Sequence, residues 1–255
     1  MTTRDRTPTG QFCWTDLSSS DVAAARAFYG AVLGWEAGEA NEEFGGYFQF
    51  FSSGAPVAGA MPKMDPGMPD GWMAYVAVED AGDFTTRAEA AGATVVAPAM
   101  QVGDMGSMAV AVDPAGAAIG VWAPISFQGF GRVAEPGAPA WFELYSRDYA
   151  TSVDFYKKVF GWDTRVEGDT DDFRYTVATA DEDMFAGMMD ASGFLPEGVP
   201  SNWGVYFAVA DVDAAVATAE SMGATVFMPP TDTPYGRLAQ LADPSGAGFR
   251  LINAR

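Results

Sequence analysis

Two carboxylates, Asp16 and Glu143, stand in matching places. Each follows a tryptophan by two residues, Trp14 and Trp141, and the two lie 143 − 16 = 127 positions apart. Both stretches read as β-strands, and strand alternation puts residues two apart on one face. Each carboxylate therefore shares a face with an indole. Where such a face bounds an apolar cavity, desolvation raises the carboxylate pKa. The group then suits general-base work or accepting a hydrogen bond from a ligand. The same pattern also suits a carboxylate satisfied by its own structure. What is missing narrows the chemistry further: the chain has no histidine, and its one cysteine is Cys13. The commonest metal ligand and the commonest general base are both absent. Ser-His-Asp and Cys-His schemes are impossible within the chain. Cys13 is expected to be buried and inert.

The elements that position these carboxylates repeat. WTDLSSSDVAAARAFYGAVLGW from Trp14 aligns without a gap with WFELYSRDYATSVDFYKKVFGW from Trp141. WMAYVAVED at Trp72 matches WGVYFAVAD at Trp203, and VDPAGAAIGVW at Val112 matches ADPSGAGFRLI at Ala242. One half is a diverged copy of the other, and so long a period means tandem domains rather than a solenoid. Asp21 is a good N-cap for a helix to about Leu33, with Gly34 placed to stop it. Asp80, Asp148 and Asp211 recur as caps at equivalent places. Strands are predicted over 11–17, 42–51, 55–61, 72–78, 94–97, 108–112 and 118–122, and the second half follows the same scheme. Each unit is strand, helix, then several strands, used four times. Residues 1–10 are polar and expected to fray. APISFQGFGRVAEPGAP, residues 123–139, reads as a linker between a domain of residues 1–122 and one of residues 140–255.

Composition excludes several partners. The net charge is −20, from 34 acidic and 14 basic residues. Such a field repels phosphate backbones and anionic membranes, so neither nucleic acid nor membrane is expected as a partner. No run of 18 apolar residues exists to span a bilayer. The start, MTTRDRTPTG, lacks the apolar stretch of a signal peptide, and a lone cysteine fits a reducing compartment. A cytoplasmic location is expected.

FYGAVLGW, FYKKVFGW, the pre-helix aspartates and the DPAG and DPSG turns together resemble the vicinal oxygen chelate superfamily of glyoxalase I, bleomycin-resistance proteins and extradiol dioxygenases. The resemblance spans nearly the whole chain. It implies an α+β fold of tandem glyoxalase-like domains, with four βαβββ modules forming two half-open barrels around cavities. Closest in layout are two-domain actinobacterial glyoxalase-like proteins, some labelled hydroxylases of antibiotic pathways. Metal-bearing members place ligands about seven residues before each capping Asp and about seven after the Asp of the DPxG turn. Those points fall here on Trp14, Met73, Gly120, Trp141, Gly204 and Arg250. None is a competent ligand for a divalent metal such as zinc or iron. The expectation is therefore no metal and no cofactor.

Within such cavities, Trp14, Trp141, Trp72 and Trp203 are expected to offer aromatic walls, and Met61, Met73, Met105 and Met108 adaptable ones. Ordinary core packing accounts for the same residues. Tyr47, Tyr75, Tyr206 and Tyr235 are possible hydrogen-bond donors without an order among them. Arg250 is expected to reach Glu143 and fill the second cavity. Asp16, with Gly120 leaving room beside it, is expected to stay available to a ligand, so the first cavity is the expected working site and Asp16 its key polar residue. The leading reading is a metal-free binder of a small, flat or apolar metabolite, as a monomer or homodimer. The alternatives are a metal-independent isomerase, lyase or hydroxylase-like enzyme of secondary metabolism using Asp16 or Glu143 as acid or base, and a scaffold with occluded barrels.

Overall fold

A computed structural model of the chain describes residues 6–253. The first module is β1 (Phe12–Ser19), α1 (Val22–Leu33), β2 (Glu36–Ala37), β3 (Phe48–Ser52) and β4 (Ala55–Pro62). The second is β5 (Gly71–Ala77), α2 (Ala81–Ala90), β6 (Thr94–Val102), β7 (Gly106–Val112) and β8 (Ala118–Pro124). The third is β9 (Pro139–Ser146), α3 (Tyr149–Phe160), β10 (Asp163–Asp169), β11 (Arg174–Ala180) and β12 (Asp183–Asp190). The fourth is β13 (Asn202–Val209), α4 (Val212–Ser221), β14 (Thr225–Thr233), β15 (Gly236–Ala242) and β16 (Gly248–Asn253). They form two open eight-stranded sheets of identical order, β2-β3-β4-β1-β5-β8-β7-β6 and β10-β11-β12-β9-β13-β16-β15-β14. Neither sheet closes into a barrel. No described helix is long and apolar enough to cross a membrane.

The helix signals act as the residues demand. Asp21, Asp80, Asp148 and Asp211 each accept first-turn backbone N–H groups. Gly34 and Gly161 adopt φ of 70° and 69°, the left-handed stop that glycine takes without strain. The strand expected over 42–51 is shorter. Glu42–Phe44 form a 3-10 turn capped by Asn41, because the Asn side chain competes for backbone N–H groups there. Residues 1–5 lie outside the described residues. The fraying expected of 6–10 is not seen: Thr7 is buried, and Gly10 donates to Ala77 O and accepts from Trp162.

The two halves share one core. Phe207 of the second half packs on Trp35 and Trp72 of the first, and Phe12 of the first packs on Phe142 and Trp203 of the second. α1 lies against α4, and α2 against α3. Two hydrogen-bond relays cross between the halves. Trp72 donates to Tyr29 (3.1 Å), and Tyr29 to Oδ2 of Asp243 (3.1 Å). Trp203 donates to Tyr156 (2.7 Å), and Tyr156 to Oδ2 of Asp113 (3.0 Å). The aspartates are those of the DPSG and DPAG turns, and their other oxygens accept two backbone N–H groups each. The tyrosine of each FY…GW stretch thus pins the final hairpin of the opposite half.

Trp72 and Trp203 correct an expectation: they belong to this shared core and relay, not to a cavity wall. They alternate with the concave-facing residues of their strands, so the strand period sends them to the helix side.

Removing one relay hydroxyl should be felt globally. Tyr156→Phe leaves Trp203 Nε1 without its acceptor and Asp113 Oδ2 without its donor, so a loss of about 1–3 kcal/mol in urea unfolding is expected, in a single transition. A change under about 0.5 kcal/mol, or separate unfolding of the halves, contradicts the shared-core account.

Candidate ligand-binding site

The concave face of each sheet carries the same four-residue constellation, built by register. On β9, Trp141, Glu143 and Tyr145 alternate onto one face. Glu143 pairs with Gly187 of β12 on one side and Gly204 of β13 on the other. Tyr175 donates to Glu143 Oε1 (2.8 Å) and Tyr206 to Oε2 (2.6 Å), while Trp141 Nε1 donates to Tyr175 Oη (3.3 Å). Gly187 is what admits the Tyr175 hydroxyl, since a Cβ there would lie 1.9 Å from it. Burial and the neighbouring Glu143 charge push the phenols of Tyr175 and Tyr206 well up, so both are donors at any ordinary pH. Glu143 itself is 5% exposed.

Above this floor is a cavity of about 580 Å³. Trp141, Tyr145, Tyr175 and Tyr206 form its inner walls, and Met189 and Met228 complete them. At the rim, Phe173 stacks on Tyr175 (5.6 Å between ring centroids), and Tyr235 approaches the other side of Tyr175 at 6.4 Å. Gln240 donates to Tyr145 Oη (2.8 Å) and so orients it. The volume falls in the ordinary range of small-molecule sites, and the lining of flat rings with one carboxylate suits an aromatic ligand with a polar edge.

Arg250 departs from expectation. Its guanidinium does not replace the tyrosines on Glu143. It lies over the Tyr145 ring at 4.1 Å and the Tyr206 ring at 5.3 Å, in space left by Gly204, where a Cβ would be 1.4 Å from Nη1. Its cationic face prefers the ring faces beside it, and the cavity stays open.

The first concave face repeats the pattern with different consequences. Asp16 Oδ1 accepts from Trp14 Nε1 (2.8 Å) and Tyr47 (3.0 Å), and Tyr75 also bonds to the carboxylate. Gly59 makes room here as Gly187 does opposite. Asp16, expected to lack partners, therefore has three. The room expected beside Gly120 is taken by the Tyr75 ring, 2.4 Å from where a Cβ would be. Met61, Met73 and Met108 do lie half-buried on this side. Phe127 and Phe130 of the connection between the halves pack on Trp14 at 4.7 and 5.4 Å. Cys13 is buried, its thiol pushed up by desolvation.

Tyr145 and Tyr175 were missed by sequence reasoning. Both had a signal: Tyr145 continues the 141, 143 alternation, and Tyr175 stands to Gly187 as Tyr47 does to Gly59. The donor chemistry does not fit a divalent metal. Trp14 and Trp141 present N–H donors, Gly120 and Gly204 present nothing, and Arg250 presents a cation. Among the described residues no three His, Cys, Asp or Glu side chains converge.

Burial pushes Asp16 up to about 6 from 3.8, against the opposing pull of Tyr47, Trp14 and Tyr75. A raised carboxylate favours folding when protonated, so its contribution is present below about pH 4 and is lost as pH rises through about 6. Asp16→Asn should therefore gain unfolding midpoint relative to the parent as pH goes from 4 to 7. A difference that does not change with pH contradicts this placement.

Comparison with known proteins places the fold in a family. The Glyoxalase/Bleomycin resistance protein/Dioxygenase superfamily matches residues 11–121 and 138–251. Anthracycline biosynthesis protein DnrV of Streptomyces peucetius is 37% identical over 96% of this chain and 94% of its own length. Putative glyoxylase CFP32 of Mycobacterium tuberculosis is 35% identical over 94% of this chain and 93% of its own. The Mn(II)-bound glyoxalase from Novosphingobium aromaticivorans superposes with a TM-score of 0.66 at 18% identity, covering 96% of this chain and 82% of that one. The 2,3-dioxygenase LapB from Pseudomonas sp. KL28 also gives 0.66, at 17% identity, covering 97% and 93%. With both halves matched and the tandem module order shared, the chain belongs to the Glyoxalase/Bleomycin resistance protein/Dioxygenase superfamily.

Proposed function

We propose that the chain binds a small, flat, largely apolar metabolite in its second concave face, without a metal or cofactor, with Glu143 accepting a hydrogen bond from the ligand's polar edge. The observation that carries this reading is the cavity of about 580 Å³ walled by Trp141, Tyr145, Tyr175 and Tyr206 over a buried carboxylate. Each oxygen of Glu143 has one tyrosine donor. A carboxylate oxygen can accept a second, so a ligand hydroxyl or N–H has a place to bind. The relatives DnrV and DauV are named for anthracycline biosynthesis, and this supports a polycyclic aromatic compound as the ligand class. Asp16 and the methionine side remain a second candidate, and the cavity over Glu143 weights the proposal toward it. A cytoplasmic monomer or homodimer belongs to the same reading.

One observation favours catalysis as a second reading. The 2.6 Å contact from Tyr206 to Glu143 is a short, charge-assisted bond between an acid and a base at the cavity floor. A metal-independent isomerase or lyase would use Glu143 as base and Tyr206 or Tyr175 as proton donor. Recovering a bound aromatic substrate analogue after long incubation and weighing it by mass spectrometry separates the two: unchanged mass and isomer composition favours the binder.

Binding itself is checked by quenching of intrinsic fluorescence with a dihydroxyanthraquinone. Ala140 lines the cavity, so Ala140→Trp should weaken binding at least about tenfold by filling it, a cost of roughly 1.4 kcal/mol or more. Met61→Trp on the first concave face should leave affinity within about twofold. The reverse pattern moves the site to the Asp16 side.

A further inference from the structure

We propose that Arg250 is a built-in counter-ion for the second concave face, a positioning residue that lets this face hold an acidic ligand hydroxyl as its anion once the proton has passed to Glu143. The inference rests on the reading of that face as the ligand site and goes further, to the class of ligand: a phenol or enol rather than a neutral arene.

Three observations carry it. The guanidinium is 7% exposed, yet it lies against the rings of Tyr145 and Tyr206 with the Tyr145 side chain as its hydrogen-bond partner, and both carboxylate oxygens of Glu143 are held by tyrosines instead. A buried cation without a carboxylate in direct contact is costly, so it is kept for what it does to its surroundings. The fold also gives up a side chain to seat it, because only Gly204 leaves the space that the guanidinium fills.

The third observation is the comparison between halves. Met73 stands across from Asp16 as Gly204 stands across from Glu143, and Gly120 stands across from Tyr75 as Arg250 does from Tyr206. One half is large on the inner strand and empty on the outer; the other is empty on the inner strand and large on the outer. Volume is exchanged between the strands, and the exchange leaves a positive charge only in the half with the 580 Å³ cavity.

The geometry gives the step its balance. Glu143, paired with Gly204 in register, lies beside the guanidinium across Tyr206. The ligand O–H bond breaks and an O–H bond to Glu143 forms, with the electron pair remaining on the ligand oxygen. One negative charge moves from Glu143 to the ligand, and the Arg250 cation stays, so the net charge of the site is unchanged. The titratable groups that line the cavity are Glu143 and Tyr145 on β9, Tyr175 on β11, Tyr206 on β13 and Tyr235 in the β14–β15 turn, and Arg250 on β16 lies against the rings of Tyr145 and Tyr206. β12 and β15 contribute Met189 and Gln240, which do not titrate here. Arg250 is the one cation among them.

The test uses the visible spectrum of a dihydroxyanthraquinone, whose phenolate absorbs at longer wavelength than its phenol. Bound to the parent protein, the probe should show the phenolate band at pH values where the free probe is neutral, its apparent pKa lowered by at least one unit, a tenfold change in proton affinity. Arg250→Gln should bind it mainly as the neutral phenol, and Arg250→Lys should restore part of the phenolate band. A parent complex that holds the probe as neutral phenol overturns the proposal while leaving the binding site standing. Equal spectra in the parent and Arg250→Gln complexes overturn it too. A parent protein that fails to bind the probe overturns the site reading along with it. Should Arg250→Gln not fold, the parent spectrum and its pH titration still decide, phenolate supporting and phenol overturning.

Discussion

Two hydrogen bonds that cross between the halves, from Tyr29 to Asp243 and from Tyr156 to Asp113, are the contacts on which the rest of the structure depends. Each joins the first helix of one half to the last hairpin turn of the other. Burial raises both aspartates, so each turn needs a donor to remain satisfied inside the protein. The tyrosines supply it, and the tryptophans of β5 and β13 hold the tyrosines. The aromatic contacts around Phe12 and Phe207 then close one core across both copies. The concave faces lie on the other side of the strands from this lock.

With the frame shared, the two faces could diverge by small exchanges. Both keep Trp, carboxylate and two tyrosines in one arrangement, each with a glycine admitting a hydroxyl. The first face then spends its space on Tyr75 above Gly120 and on Phe127 and Phe130 against Trp14. The second keeps its space and adds a buried cation. The divergence sits at Met73 against Gly204 and Gly120 against Arg250, side chains that the backbone hydrogen bonds do not constrain.

Much of this was legible in the sequence, for stated reasons. The tandem modules, the four Asp caps and the glycine stops follow from local rules that act wherever those residues occur. The carboxylate pair was legible because the strand period of two links it to Trp14 and Trp141. Space was not legible. A glycine at 120 looks like room, but the neighbouring strand placed Tyr75 in it. An arginine at 250 looks like a partner for Glu143, but Gly204 leaves the space in which it lies over the tyrosine rings. Trp72 and Trp203 look like cavity walls, but their parity sends them to the helix side. Each of these turns on which residue of the next strand comes alongside, which depends on register between segments distant in sequence. The segment 123–139 read as a Pro- and Gly-rich linker, and nothing in that composition told that two of its phenylalanines pack on Trp14 of the first face.

The central claim is that the second concave face, with Glu143 at its floor, is where a flat ligand sits. A crystal structure of the protein with a dihydroxyanthraquinone tests it most directly. The account predicts ring density among Trp141, Tyr145 and Tyr206, with an oxygen within hydrogen-bond distance of Glu143. Density over Asp16 and the methionines of the first face, or rings in the second face with their oxygens turned away from Glu143, would contradict it.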